Sequence, residues 1–109
     1  MIGDIQPGDR ILAQWQGGAL WFPGTVHSIG ADGSVAIQYD DGMSEIRPAN
    51  QVKSYDWAVG SRIDALWSGN NGWYAARIME LDPSGRRLMV RFEDDGIREE
   101  RMSGQCRSH

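Results

Sequence analysis

The residues in this sequence with chemistry to offer are aromatic rings and carboxylates, and they recur together. Trp15, Phe22 and Tyr39 are followed by the acid Asp41 and the soft thioether of Met43; further on, Trp67, Tyr74 and Phe92 are followed by Asp94. An aromatic ring face carries negative electrostatic character, so several faces beside a carboxylate suit a cation, and a desolvated cation over one ring contributes up to about 2 kcal/mol. A methylated ammonium fits better than a bare one, because methylation spreads the charge over apolar groups and lowers the hydration lost on entry. Whether the rings meet depends on the elements that carry them.

Those elements repeat. Shifting the chain on itself by 52 residues sets Gly8-Asp9-Arg10-Ile11-Leu12-Ala13-Gln14-Trp15 over Gly60-Ser61-Arg62-Ile63-Asp64-Ala65-Leu66-Trp67, with Gly, Arg, Ile, Ala and Trp coinciding. At that offset Gly17 meets Gly69 and Trp21 meets Trp73. After two one-residue insertions, Asp40-Asp41-Gly42 meets Asp94-Asp95-Gly96, Glu45 meets Glu99 and Arg47 meets Arg101. The repeat predicts two domains, over 6–53 and 54–103, with 104–109 as a disordered C-terminal tail. The connection Lys53-Ser54-Tyr55-Asp56-Trp57 is too short and too aromatic for a flexible tether. A unit of roughly 50 residues also buries little surface by itself, so the two are expected to pack together.

Within each repeat, apolar residues alternate over short runs separated by Gly, Asn, Asp and Pro, the pattern of strands joined by tight turns. Strands are predicted near 10–16, 21–29, 34–39 and 43–47, with a short closing strand by Val52, and near 62–67, 73–80, 87–92 and 97–101. The expected fold class is all-β, as two tandem small five-stranded barrels. The period of two puts Ile11, Ala13 and Trp15 on one face, with Phe22, Gly24 and Val26, and with Val35, Ile37 and Tyr39. In an antiparallel meander the aromatic ends of these rows converge at one mouth. The second repeat does the same with Trp67, Tyr74 and Phe92. Trp21 and Trp73 fall on the opposite face and are expected to pack between the repeats.

Charge and composition narrow the function classes. A net charge of −4 disfavours bulk attraction to nucleic acid or to an anionic membrane. The single Cys106 excludes an intramolecular disulfide and fits a reducing compartment. No apolar run approaches the ~20 residues of a membrane span, and the start lacks a signal-peptide pattern. The expected location is intracellular: nuclear in a eukaryote, cytoplasmic in a bacterium. His27 and His109 have no Cys or His at ligand spacing, so neither a metal nor a cofactor is expected. Nothing resembles an activated nucleophile, a phosphate loop or a zinc framework. Adjacent carboxylates in a turn point apart and pair poorly as acid and base. These features describe a monomeric binding module, not an enzyme.

The combined pattern resembles the tandem Tudor domains of the Tudor/Agenet-like group of methyl-mark readers. It is carried by Ala13-Gln14-Trp15, Trp21-Phe22-Pro23-Gly24 and Ile37-Gln38-Tyr39-Asp40-Asp41-Gly42, and again by Ala65-Leu66-Trp67, Trp73-Tyr74 and Val90-Arg91-Phe92-Glu93-Asp94-Asp95-Gly96. The resemblance implies small SH3-like barrels that read methylated lysine or arginine in a basic, histone-tail-like peptide through an aromatic cage. Carried over by position, the first cage is Trp15, Phe22, Tyr39 and Asp41, and the second is Trp67, Tyr74, Phe92 and Asp94. Where the family commonly has a further aromatic, Met43 stands in the first repeat and Ile97-Arg98 in the second. Met43 can pack against a methylammonium whereas an inward Arg98 would repel one, which ranks the first cage above the second.

Two other readings stand beside this one. Eight of the ten arginines lie beyond residue 60, which suits a nucleic-acid-binding barrel with phosphate contacts from Arg62, Arg77, Arg86, Arg87, Arg91, Arg98, Arg101 and Arg107 and bases stacked on the rim aromatics. A scaffold gripping an unmodified Arg-rich or Pro-rich segment is the third.

Overall fold

The computed structural model describes residues 5–109; the opening four residues, where the sequence shows no signal-peptide pattern, lie outside the described residues. The chain divides into two units between Asp56 and Trp57. The first unit is built from β1 (Arg10–Gln14), β2 (Trp21–Ile29), β3 (Val35–Tyr39), β4 (Ser44–Arg47) and β5 (Val52–Ser54), in the antiparallel order β4-β3-β2-β1-β5. The second contains β6 (Arg62–Leu66), β7 (Trp73–Leu81), β8 (Arg87–Phe92), β9 (Arg98–Met102) and β10 (Cys106–Arg107), ordered β10-β6-β7-β8-β9. The two orders are the same, as the repeat demands.

Both sheets bend at the same place. The long second strand of each unit carries a β-bulge, at His27 between Val26 and Ser28 and at Met79 between Ile78 and Glu80. An extra residue against one partner residue sharpens the twist and lets a nine-residue strand serve two parts of a curled sheet. Gly24 sits one turn of pleat earlier, where the curl closes on itself: a Cβ there would lie 2.8 Å from the Gln38 carbonyl oxygen and 3.1 Å from Tyr39 Cα.

The inward rows form the cores. In the first unit Ile11, Ala13, Val26, Val35, Ile37, Tyr39 and Val52 cluster, with Phe22 packed against them. In the second, Ile63, Ala65, Ala76, Ile78, Leu88, Val90, Phe92 and Cys106 are buried in the same alternation.

Two expectations need correction. Residues 104–109 are not a disordered tail: a 3-10 turn over Ser103–Gln105 leads into β10, and Cys106 pairs with Ala65 as Val52 pairs with Ala13. A buried thiol replaces the valine methyls, which the polar residues around it conceal. The first strand ends at Gln14, because Gln16 adopts φ +54° and turns the chain into a 3-10 turn at Trp15–Gly17. Within their own units, Trp21 and Trp73 each meet a cation from the closing strand, Lys53 Nζ lying 4.6 Å from one ring and Arg107 Cζ 4.1 Å from the other.

Candidate functional site

In the first unit the mouth is made by the turn after β1, the start of β2 and the β3–β4 hairpin. Trp15 meets Phe22 edge to face at 6.0 Å and 70° and is 39% exposed, so one side of its ring is open. Tyr39 is drawn into the core, and its hydroxyl donates a 2.6 Å hydrogen bond to Glu45 Oε2. Burial, followed by the hydrogen bond and the charge of Glu45, holds the phenol well above its ordinary titration range. The same carboxylate accepts from the Gln16 amide at 2.9 Å, which ties β4 to the turn that presents Trp15. Asp41 accepts from the Met43 amide at 3.0 Å as an Asx turn, and the Met43 side chain is exposed. Glu45, which the sequence offers only as a repeat match to Glu99, is thus the acid nearest the Tyr39 pole, and its oxygens are engaged.

The second unit departs from this in its hairpin. Tyr39 and Phe92 occupy one position, their amides accepted by the Met43 and Ile97 carbonyls; Asp40 and Glu93 occupy the next, their amides bonded to the Pro23 and Ala75 carbonyls. Between these and Gly42 or Gly96 the first unit has Asp41 alone and the second has Asp94 and Asp95. One of the two insertions therefore lies in this turn, and it adds a carboxylate. Asp95 makes the Asx bond, to the Ile97 amide at 2.9 Å. Asp94 is exposed, and its carboxylate makes no hydrogen bond or ion pair among the described residues.

Trp67, Tyr74, Phe92, Asp94 and Asp95 line a pocket of about 100 Å³. Trp67 and Tyr74 stand edge to face at 5.9 Å and 86°. The wider loop after β6 fixes both rings. Asn70 donates to the Tyr74 hydroxyl at 2.7 Å and accepts from the Gly72 amide at 2.8 Å, while the Trp67 amide bonds the Gly72 carbonyl at 2.9 Å. Gly69 lies against the Trp67 ring so closely that a Cβ would fall within 2.6 Å of Cζ2 and Cζ3. Glu99 accepts from the Ser68 hydroxyl and amide, as Glu45 does from Gln16, but Phe92 offers it no phenol.

The sequence-based objection to the second mouth was Arg98. It pairs in register with Arg91, while the neighbouring Val90 and Glu99 form the inward row, so Arg98 lies on the outer face and is exposed. The structure brings together all four residues of the second set. In the first set it brings Trp15 to Phe22, buries Tyr39 as deeply as Phe92 with its hydroxyl on Glu45, and commits Asp41 to its own turn.

Among solved structures, the tandem Tudor domains of Crb2 match with a TM-score of 0.63 at 13% identity, covering 94% of this chain and 78% of that one. The Arabidopsis thaliana AGDP1 AGD34 structure matches with a TM-score of 0.45 at 16% identity, over 96% of this chain and 82% of that one. The extended Tudor domain TD3 of mouse TDRD1, in complex with a MILI peptide containing dimethylarginine, gives 0.45 and 20%, over 79% of this chain and 48% of that one. No family model matches the chain, and no curated protein does. At these identities the likeness to Crb2 is one of fold: the chain has the all-β tandem Tudor-like architecture.

Proposed function

We propose that this protein is a binding module that takes a methylated lysine or arginine side chain of a basic peptide into the pocket of its second unit. The observation that carries this reading is the pocket lined by Trp67, Tyr74, Phe92 and the uncommitted carboxylate of Asp94. Ring faces attract a poorly hydrated cation, and an acid with no internal partner supplies the countercharge without breaking a bond of the fold. Its small volume, about 100 Å³, suits one side-chain head group and not an extended ligand. The likeness in fold to the Crb2 tandem Tudor domains is consistent with a peptide partner.

Calorimetric titration of methylated and unmodified forms of one basic peptide tests it. The methylated form should bind more tightly, and Trp67→Ala should weaken it by roughly 30-fold, the equivalent of one ring contact of about 2 kcal/mol. Trp15→Ala should leave that binding in place. Equal, weak binding of both peptide forms would overturn the reading; loss on Trp15→Ala alone would move the site to the first unit.

A further inference from the structure

The outer face of the second sheet carries four arginines in direct register. Arg62 lies opposite Arg77, Arg77 opposite Arg91 and Arg91 opposite Arg98, and all of them are exposed. Residues directly opposite on neighbouring strands project to the same side, so the guanidinium groups share one line. At about 4.8 Å per strand the line runs for roughly 14 Å.

Such a row is not what a sheet needs. Like charges opposite one another destabilise a strand pair. The first unit shows that the fold does without them: its corresponding row is Arg10, Thr25, Gln38 and Ser44. There the one arginine is clasped by Asp40, at 2.6 and 2.7 Å. In the second unit Glu93 reaches Arg62 at 3.3 Å and Arg77 at 3.6 Å, while Arg91 and Arg98 make no ion pair among the described residues. Two copies of one framework thus differ along one line by three added cations, in a chain whose net charge is −4.

We propose that this row binds the phosphate backbone of duplex nucleic acid. The guanidinium fork matches phosphate oxygens in pairs. A duplex carries one charge per about 1.7 Å of its axis with both strands counted, so roughly 14 Å of long, flexible arginine side chains lies against a dense field of phosphates. An extended acidic peptide turns alternate side chains away and presents carboxylates only every ~7 Å, so it would meet about half the row. Single-stranded nucleic acid is held largely by stacking on exposed rings. On this side of β7 the ring is Trp73, and Arg107 covers it at 4.1 Å. Contact is therefore with the backbone, independent of sequence, and uses none of the pocket residues. The broad reading of eight arginines with rim aromatics contracts to four arginines without them.

Fluorescence anisotropy of the full chain with a labelled DNA duplex of about 20 base pairs tests the row. With one phosphate neutralised by each of the four arginines, affinity should fall roughly 150-fold between about 50 and 200 mM salt. Arg91→Gln with Arg98→Ser, which copies Gln38 and Ser44 of the first unit, should weaken binding at low salt and cut that fall to roughly 12-fold. Glu93→Gln, which frees Arg62 and Arg77, should tighten binding severalfold and serves as an independent variant if the double one fails to fold. Absence of binding at about 50 mM salt, or an unchanged salt dependence in the double variant, would overturn the proposal. So would tighter binding of the matching single strand or of a polyglutamate peptide.

Discussion

The Tyr39 hydroxyl donates to Glu45 across the β3–β4 hairpin at 2.6 Å, and at the equivalent position Phe92 has no hydroxyl to give Glu99. That oxygen atom is one of the differences between the two mouths. In the first it draws an acid onto a buried phenol and joins that acid to the Gln16 turn. In the second the acid is left to Ser68, and the ring of Phe92 becomes a wall of the pocket.

Tyr39→Phe in the full chain should cost about 1.5 kcal/mol, the value of a hydrogen bond to a charged acceptor that keeps another partner. Urea unfolding monitored by circular dichroism checks this. The burial and the Glu45 contact that raise the phenol above its ordinary 10.0 make its neutral form the native one. Its stabilising effect is complete below that pH and lost as pH climbs beyond it. Tyr39→Phe should remove this part of the alkaline sensitivity.

Asp40 and Glu93 occupy equivalent positions and serve Arg10 and Arg62, but their surroundings differ. Asp40 has only 4% of its side chain exposed and grips Arg10 with both oxygens, whereas Glu93 is 33% exposed and reaches its arginines at 3.3 and 3.6 Å. Asp40→Ala removes the buried carboxylate that grips the Arg10 guanidinium with both oxygens and should destabilise by roughly 2–3 kcal/mol. Glu93→Ala should change stability by less than about 0.5 kcal/mol. Paired thermal melts of the two variants separate these outcomes.

Much of this was legible in the residues. The strands Trp21–Ile29 and Arg87–Phe92 stand at their expected bounds because Gly, Asp and Pro turns bracket an alternating run. The sequence expectation for β1 overshoots to residue 16 because a positive φ at Gln16, a residue without glycine's freedom, leaves no mark in composition. The β10 strand escapes for a different reason: two residues are too short to show a period, and Cys106 does not look like the partner of Val52 until the pairing with Ala65 is seen. At the site, the rings were legible from period two. The inequality of the mouths was not, because it rests on one inserted carboxylate and on which acid each turn consumes. The arginine row needed the strand register, since Arg62, Arg77, Arg91 and Arg98 are evenly placed in space and not along the chain.

Two glycines, the buried Gly24 and the exposed Gly69, should fail in different ways. At Gly24 an added Cβ meets backbone, the Gln38 oxygen at 2.8 Å and Tyr39 Cα at 3.1 Å, and backbone in a curled sheet cannot withdraw cheaply. Gly24→Ala should cost about 1–3 kcal/mol, although Ala76 is tolerated at the same place in the second unit. At Gly69 the obstacle is the Trp67 ring, which can rotate. Gly69→Ala should leave stability within about 1 kcal/mol, shift tryptophan fluorescence, and weaken ligand binding at the pocket as Trp67→Ala does. Denaturation and titration of both variants read the two effects apart.

Cys106 links the last strand to the alkaline limit of the second unit. Burial beneath β6 raises its thiol from 9.0 to about 12, slightly opposed by Arg101. An unfolded chain loses this proton at the ordinary value, and the folded one keeps it. The contribution to stability is therefore whole below about pH 9 and declines as pH rises toward 12. A thiol reagent at pH 8 should label the native protein slowly and the urea-unfolded protein at once, because the thiolate is the reacting form. Cys106→Val, which restores the residue found at Val52, should keep β10 in place, abolish the labelling and flatten the loss of stability above pH 9. Rapid labelling of the native protein at pH 8 would mean that β10 opens readily, and the buried position of Cys106 would not describe the chain in solution.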